Sequence, residues 1–214
     1  MAATFPLTPP TVGGLQAVAN LRLQRQVGQT MSPTAGPGPT QEWDGAWWAA
    51  ELITIPMRRI QANSWNSFIV SLRGKSGYFL IGDPASNEPL GNMTGSPVVD
   101  GAGQTGDAIS IRNAPISLTD ALLPGDYIQV ETTAGPRLHM VSYQGAVNTD
   151  GTGRADIPIE PGLRDSPADG SAITYIDPVG MFQLATNDIG WDISTALRYS
   201  YTIPIIEKMV KETP

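Results

Sequence analysis

Hydrophobic and polar residues alternate along most of this chain, and a period of two is typical of β-strands with one buried face. The first two such runs cover residues 15–28 and 46–57, and residues 29–45 between them contain three prolines. In the second run, Trp48 and Leu52 fall on the same face. We expect the two runs to form an N-terminal β-hairpin whose tip is a long, mobile loop.

One segment departs from this alternation. Residues 58–74 carry apolar side chains at positions i, i+3, i+4 and i+7, which is the stripe of an amphipathic helix; they are Trp65, Phe68, Ile69 and Leu72. Arg73 and Gly74 would supply a basic last turn and a C′ glycine, as at many helix ends. The segment therefore predicts one helix that packs on a sheet.

After the helix, strand-like runs recur about every ten residues with turn residues between them, as in β-sandwiches and β-barrels. The last run, 195–209, is the clearest, because five apolar residues share one face: Leu197, Tyr199, Tyr201, Ile203 and Ile205. Pro204 interrupts this run and lacks a backbone N–H, so we predict that it lies at a sheet edge or a bulge. The whole pattern predicts a mainly β fold of the α+β type.

Composition argues against a nucleic-acid partner. The net charge is −7, and the 13 Lys and Arg residues are scattered, whereas nucleic-acid binding needs a basic surface. Charged residues make up only 15% of the chain, compared with about a quarter in typical globular proteins. We interpret this weakly charged surface as one that other subunits cover. The 214 residues suit one large domain, or one domain that carries an inserted second one.

Residue types exclude several kinds of chemical site. The chain has no cysteine and a single histidine, His139, which rules out disulfides, cysteine nucleophiles, thiolate metal sites and multi-histidine metal sites. His139 alternates with Leu138 and Met140 in a strand-like run, so we predict a structural or exposed histidine. The start lacks the basic and apolar regions of a signal peptide, and no apolar run has membrane-spanning length. We expect no catalytic residue, cofactor, metal or membrane insertion.

A glycine pattern within residues 98–111 imitates the phosphate-binding motif G-x-G-x-x-G. Its glycines are Gly101, Gly103 and Gly106. The motif binds dinucleotides only between a strand and a helix, because the pyrophosphate lies at the helix N-terminus. Here β-like segments lie on both sides, so we predict turn glycines with positive φ and no nucleotide site.

Asn148, Asp150 and Asp156 weakly imitate a calcium loop. The glutamate that closes such a loop is missing at the expected offset. A hairpin turn is therefore the favoured interpretation.

A tryptophan cluster leaves carbohydrate binding open. Trp43, Trp47 and Trp48 lie beside Asp44 and Glu51, and exposed tryptophans often stack on sugars. Candidate acids for sugar hydrolysis are Glu51, Asp126, Glu131 and Glu160, but sequence alone does not pair them. The competing and favoured interpretation is that these tryptophans are anchors in a subunit interface or core.

Two blocks carry a resemblance to a known family. They are WWAAELITIPMRRIQANSWNSFIVSLRGKSGYFLIGDP at 47–84 and the discontinuous block at 122–209 that includes LLPGDYIQVET, ADIPIEPGLR, ITYIDPVGMFQLAT and YSYTIPIIEKM. Together they span roughly three quarters of the chain and resemble tail proteins of tailed bacteriophages, in particular distal-tail-like proteins of the tail tip or baseplate. The shared motifs are structural, and they contain no catalytic signature.

The resemblance implies a domain organisation. Residues 1–14 are rich in Pro, Thr and Gly, so composition predicts an extended arm, either disordered or laid on a neighbouring subunit. The resemblance suggests a ring-forming β-sandwich with the hairpin and helix at 15–84 and 186–214, and an inserted small β-barrel-like unit at 85–185. In such rings the inserted unit lies outside as an attachment platform. The ring-forming strands of the family are not matched here residue by residue, so the ring order is carried by the resemblance alone.

The resemblance also implies a function. Distal tail proteins form rings, usually hexameric, that join the tail tube to the baseplate hub and receptor-binding parts. We expect a non-enzymatic virion protein that assembles in the bacterial host cytoplasm, with tail tube protein and hub or tail-tip proteins as partners. The expected interface and core anchors are Trp43, Trp47, Trp48, Trp65, Phe68, Leu72, Tyr199 and Tyr201. Alternatives are a carbohydrate-binding or fibre-adaptor module, another tail adaptor or collar ring, and a hydrolase.

Overall fold

The computed structural model describes residues 4–11, 15–32, 34 and 36–209. One α-helix, α1 (Arg59–Ser71), is followed by a 3-10 turn at Gly74–Ser76. The strands, in chain order, are β1 (Leu15–Ser32), β2 (Gly36–Thr54), β3 (Phe79–Ile81), β4 (Val98–Val99), β5 (Gly106–Arg112), β6 (Tyr127–Thr132), β7 (Gly135–Val141), β8 (Ala155–Leu163), β9 (Ile173–Thr174), β10 (Gly180–Leu184), β11 (Asp192–Ile193), β12 (Tyr199–Ser200) and β13 (Thr202–Glu207). The predicted mainly β fold with one helix is confirmed.

The first sheet has the order β1-β2-β13-β10-β3, and α1 covers its apolar face. The predicted stripe of α1 is buried, as expected, and packs against Leu52, Phe79 and Tyr201 among others. The helix end differs from the prediction, because Arg73 itself adopts the left-handed conformation, with φ 53°. The N–H of Gly77 then donates to the carbonyl of Leu72, so the chain turns tightly into the 3-10 segment.

Pro204 is not at an edge, so that prediction is wrong. It lies on β13, which has β2 on one side and β10 on the other, and it is opposite Glu51 of β2. Its carbonyl accepts from the N–H of Ala185 at 2.9 Å, and Ala185 is one residue beyond the end of β10. The position that a backbone N–H of residue 204 would face therefore lies beyond the end of β10, which makes a proline tolerable there.

The second sheet, in the order β4-β5-β8-β7-β6-β9, forms a small, nearly closed barrel. A bridge between Val98 and Ala172 joins its two outer strands, and the N–H of Val99 donates to the carbonyl of Ser171 at 2.9 Å. A separate cluster of buried, mostly aliphatic side chains fills the barrel. The opposite face of β7 contributes Leu138 to the core of the first sheet, so the barrel wall also packs against that sheet.

The glycine motif is a turn, as predicted. Gly101, Gly103 and Gly106 have φ of 92°, 80° and 87°, a region that residues with a Cβ rarely adopt. The strand β5 begins at Gly106, so a strand, and not a helix, follows the motif.

The described part of the predicted N-terminal arm lies on its own chain. Leu7 forms a parallel bridge with Phe79, and its N–H donates to the carbonyl of Tyr78 at 3.0 Å. The rings of Phe5 and Tyr78 are 5.6 Å apart. Residues 1–3 and 12–14 of the predicted arm lie outside the described residues.

Candidate assembly interface

The N-terminal hairpin extends far beyond the sheet in which it starts. The prediction of a loop at 29–45 is wrong, because β1 continues to Ser32 and β2 begins at Gly36. β13 pairs with β2 only between Ala49 and Ile53. The hairpin outside that pairing, residues 23–32 and 36–48, is a two-stranded ribbon with no third strand anywhere in the described ranges. At about 3.3 Å per residue it is roughly 40 Å long.

The two edges of this ribbon differ in chemistry. β2 carries prolines near the tip, which lack an N–H and suit a strand with one unpaired edge. β1 contains no proline, and its only charged residues are Arg22 and Arg25. Long edge strands with few charges are templates for pairing with another chain, and a lone two-stranded ribbon is at best marginally stable in water. The outer edge of β1 is therefore a candidate site for strand addition.

Of the eight predicted anchors, Trp43 is the one most exposed to solvent, at 54%. Its indole covers Gly28 on the neighbouring strand, since a Cβ at that glycine would lie 2.7 Å from the ring. Val27 and Met31 on the same ribbon are also exposed. These three side chains are available to a partner.

Five predicted anchors are core residues. Trp48, Trp65, Phe68, Leu72 and Tyr201 are all buried. The ring of Trp65 stacks on Tyr201 and meets Phe68 edge-on, with centroids 6.2 and 6.0 Å apart. Trp47 and Tyr199 are half-buried. The structure therefore separates the predicted set into five core residues and three that are at least partly exposed; of these three, Trp43 and Trp47 lie on the hairpin and Tyr199 lies on β12.

A buried ionic network, which was not predicted, joins the hairpin, the barrel and β13. Glu207, 1% exposed, accepts from Arg164 at 2.7 Å and from the backbone N–H of Trp48 at 3.1 Å. Arg137, 5% exposed, lies 3.7 Å from Glu207 and 2.9 Å from Asp165. The buried charges of this network link the hairpin, the barrel and β13. The network therefore fixes the barrel against the root of the hairpin. Alternation along β13 would have placed Glu207 on the buried face, but its arginine partners are distant in sequence.

His139 is structural. It is 2% exposed, and its Nδ1 lies 2.6 Å from the carbonyl of Pro161. Burial lowers its pKa to about 4; the bond to Pro161 opposes this shift, and the positive charges of Arg164 and Arg137 add to it. The ring is therefore neutral near pH 7, and its Nδ1–H donates to Pro161.

A cleft of about 680 Å³ lies between the hairpin and the barrel, and Trp43 is on its rim. Arg25 crosses the cleft, pairs with Glu42 at 2.7 Å and also contacts Glu160 on β8. One arginine therefore pairs with both carboxylates, and none of the other three candidate acids lines this cleft.

Of the other three candidate acids, two accept hydrogen bonds from nearby groups and one lies on the first sheet. Asp126 accepts the backbone N–H groups of Leu90, Gly91 and Leu123 at 2.7, 3.1 and 2.8 Å, which ties the entry loop to the barrel. Glu131 accepts from the side chain of Gln129 at 2.6 Å. Glu51 lies on the first sheet, opposite Pro204.

The predicted turn at 148–156 is a turn. Asp150 accepts the backbone N–H groups of Thr152 and Arg154 at 2.7 and 2.9 Å, and those bonds lower its pKa. Asn148 accepts from the N–H of Asp120, and Asp156 accepts from the hydroxyl of Ser110. Within the described ranges, no group of three or more metal-ligating side chains comes together.

The chain matches no model of a known protein family, and no curated protein is significantly similar to it. Among the described residues, no helix has both the length and the apolar character needed to cross a bilayer.

Proposed function

We propose that this protein is a non-enzymatic structural subunit of a bacteriophage virion, which forms a ring at the distal end of the tail. The ring would join the tail tube to the baseplate hub or the receptor-binding apparatus. The observation that carries the proposal is the ribbon of residues 23–32 and 36–48, which projects from the first sheet with the outer edge of β1 unpaired.

A ring of identical subunits would cover the unpaired outer edge of this ribbon. If each ribbon pairs with strands of its neighbour, the exposed N–H and C=O groups of β1 gain partners, as in other cases of strand addition. Closed symmetry then leaves no edge unpaired. The exposed Val27, Met31 and Trp43 would be covered in the same step. Six subunits are the number that the family resemblance suggests.

The barrel suits an attachment platform. The Glu207 network and the Trp48 hydrogen bonds hold it firmly against the ring-forming sheet. A barrel fixed in this way would hold a partner bound to its outer face at a defined position relative to the ring. The tail tube protein and the hub or tail-tip proteins are the expected partners on the two sides of the ring.

A second candidate is a carbohydrate-binding or fibre-adaptor module. It is favoured by Trp43, half exposed on the rim of a polar cleft, because an exposed indole face can stack on a sugar ring. This module would act as a monomer or trimer and would not need the long ribbon to pair.

Light scattering and negative-stain imaging of the purified protein distinguish the two candidates. The ring proposal predicts a mass of about six subunits and ring-shaped particles. A monomer at every concentration, together with binding on a glycan array that Trp43→Ala abolishes, would replace it with the carbohydrate-binding module.

A further inference from the structure

The segment around α1 is the most basic part of an acidic chain. Residues 52–82 contain four cationic side chains and no Asp or Glu; the cations are Arg58, Arg59, Arg73 and Lys75. All four are exposed. In the part of the chain that the structure describes, none of them forms an ion pair, although eight ion pairs occur elsewhere.

The outward face of α1 between these cations is uncharged and partly apolar. Ile60 and Val70 are 82% and 67% exposed, and the exposed residues between them are Asn63, Ser64 and Ser67. The outward side of a surface helix is normally charged. We call this surface, with the four cations at its ends, the basic helix face; over 13 residues it is about 20 Å long.

A surface of opposite charge lies where the chain enters and leaves the barrel. The segments 83–90 and 176–177 are joined by the bond from the N–H of Asp177 to the carbonyl of Asn87, at 2.7 Å. They carry three acids, Asp83, Glu88 and Asp177, and two exposed apolar side chains, Leu90 and Ile176. No Lys or Arg occurs in 76–111 or 165–197. We call this surface the acidic patch.

We propose that the basic helix face of one copy docks on the acidic patch of a second copy of this chain. Each surface combines two exposed apolar side chains with several charges of one sign. Neither can pair with itself, since like charges would meet across a two-fold axis. The contact is therefore head-to-tail, and such contacts build closed rings when the rotation between subunits closes.

Charge separation along the chain supports a second copy as the occupant. Residues 83–185 hold 13 Asp and Glu against four Arg, whereas 52–82 hold four cations alone. Complementary charge fixes which faces meet and in which orientation, while burial of Ile60, Val70, Leu90 and Ile176 supplies apolar area. The contact rests on the proposed ring, but none of its residues belongs to the ribbon, so the contact can fail while the ring stands.

Charge exchange tests the contact directly. Arg59→Glu/Lys75→Glu alters the helix face; the first of these changes also suits the helix N-terminus, so folding is retained. Glu88→Lys/Asp177→Asn alters the patch, with asparagine chosen because residue 177 has a positive φ of 48°. We expect each pair to raise the dissociation constant of the assembly about tenfold, and the four changes together to restore most of the affinity.

Asp156→Lys/Asp120→Asn is the matched control, because it makes the same change in charge at exposed barrel positions outside the patch, and residue 120 also has a positive φ, of 51°. It should assemble as the unaltered protein does, and raised salt should weaken the unaltered assembly. Masses come from light scattering across a range of concentrations. Unchanged assembly by both altered pairs, or no recovery in the fourfold variant, would overturn the contact while leaving the ring intact. A protein that never self-associates would overturn both.

Discussion

The indole N–H of Trp48 on β2 donates to the carbonyl of Leu138 on β7 across 2.9 Å, and both residues are almost fully buried. This bond crosses from the root of the hairpin to the wall of the barrel. The Trp48 ring also lies 5.9 Å from that of Tyr127. One side chain therefore links the two sheets through a hydrogen bond and through packing.

Replacing Trp48 by Phe should destabilise the protein by about 1–3 kcal/mol, because the carbonyl of Leu138 loses its donor in a buried place. Denaturant unfolding followed by circular dichroism measures the change. Trp191→Phe is the control; Trp191 is 39% exposed, so its replacement should cost about 0.5 kcal/mol or less. Equal losses in the two variants would show that the hydrogen bond contributes nothing.

Replacing Glu207 by Gln should cost about 3–5 kcal/mol, since Arg164 would lose its carboxylate partner in a buried site and Arg137 would keep only Asp165. Glu42→Gln makes the same chemical change in the exposed pair with Arg25, whose side chains are 38% and 61% exposed. That control should cost less than about 1 kcal/mol. Comparable losses would contradict the role given to the network.

His139 should make stability depend on pH. Its pKa is about 4 in the folded protein and about 6.5 when unfolded, so the unfolded chain binds the proton first. Neutral His139 contributes fully to the free energy of unfolding above pH 6.5. As the pH falls from 6.5 to 4, that free energy should drop by roughly 3 kcal/mol. Unfolding curves between pH 7 and 4 measure this loss. His139→Asn retains a donor but does not titrate, so it should flatten the dependence of the unfolding free energy on pH. An unchanged slope in this variant would show that carboxylates, and not His139, cause the dependence.

Sequence patterns predicted the local elements well. The stripe of Trp65, Phe68, Ile69 and Leu72 is buried as expected, and Trp48 and Leu52 face the core together. Both results follow from periodicity, which depends only on neighbouring residues. The three-glycine turn was predictable for the same reason, because glycine permits the positive φ that these turns need.

Features that depend on distant residues were missed. Pro204 is tolerated on an interior strand only because β10 ends opposite it. The hairpin extends past its predicted ends because its outer half pairs with a single strand, where proline does little harm. The charge of Glu207 is balanced by Arg137 and Arg164, which belong to the barrel. No local pattern encodes such partners.

Shortening the hairpin tests its role in assembly most directly. Gln26 and Trp43 are paired across the ribbon, so residues 27–42 can be replaced by Asn-Gly, which closes such a pair as a tight turn. The deletion leaves the buried core of both sheets in place. We expect unchanged unfolding of the subunit and, by light scattering, a monomer where the unshortened protein forms a ring of about six subunits. A shortened protein that still forms the same ring would contradict the role of the ribbon as the junction between subunits.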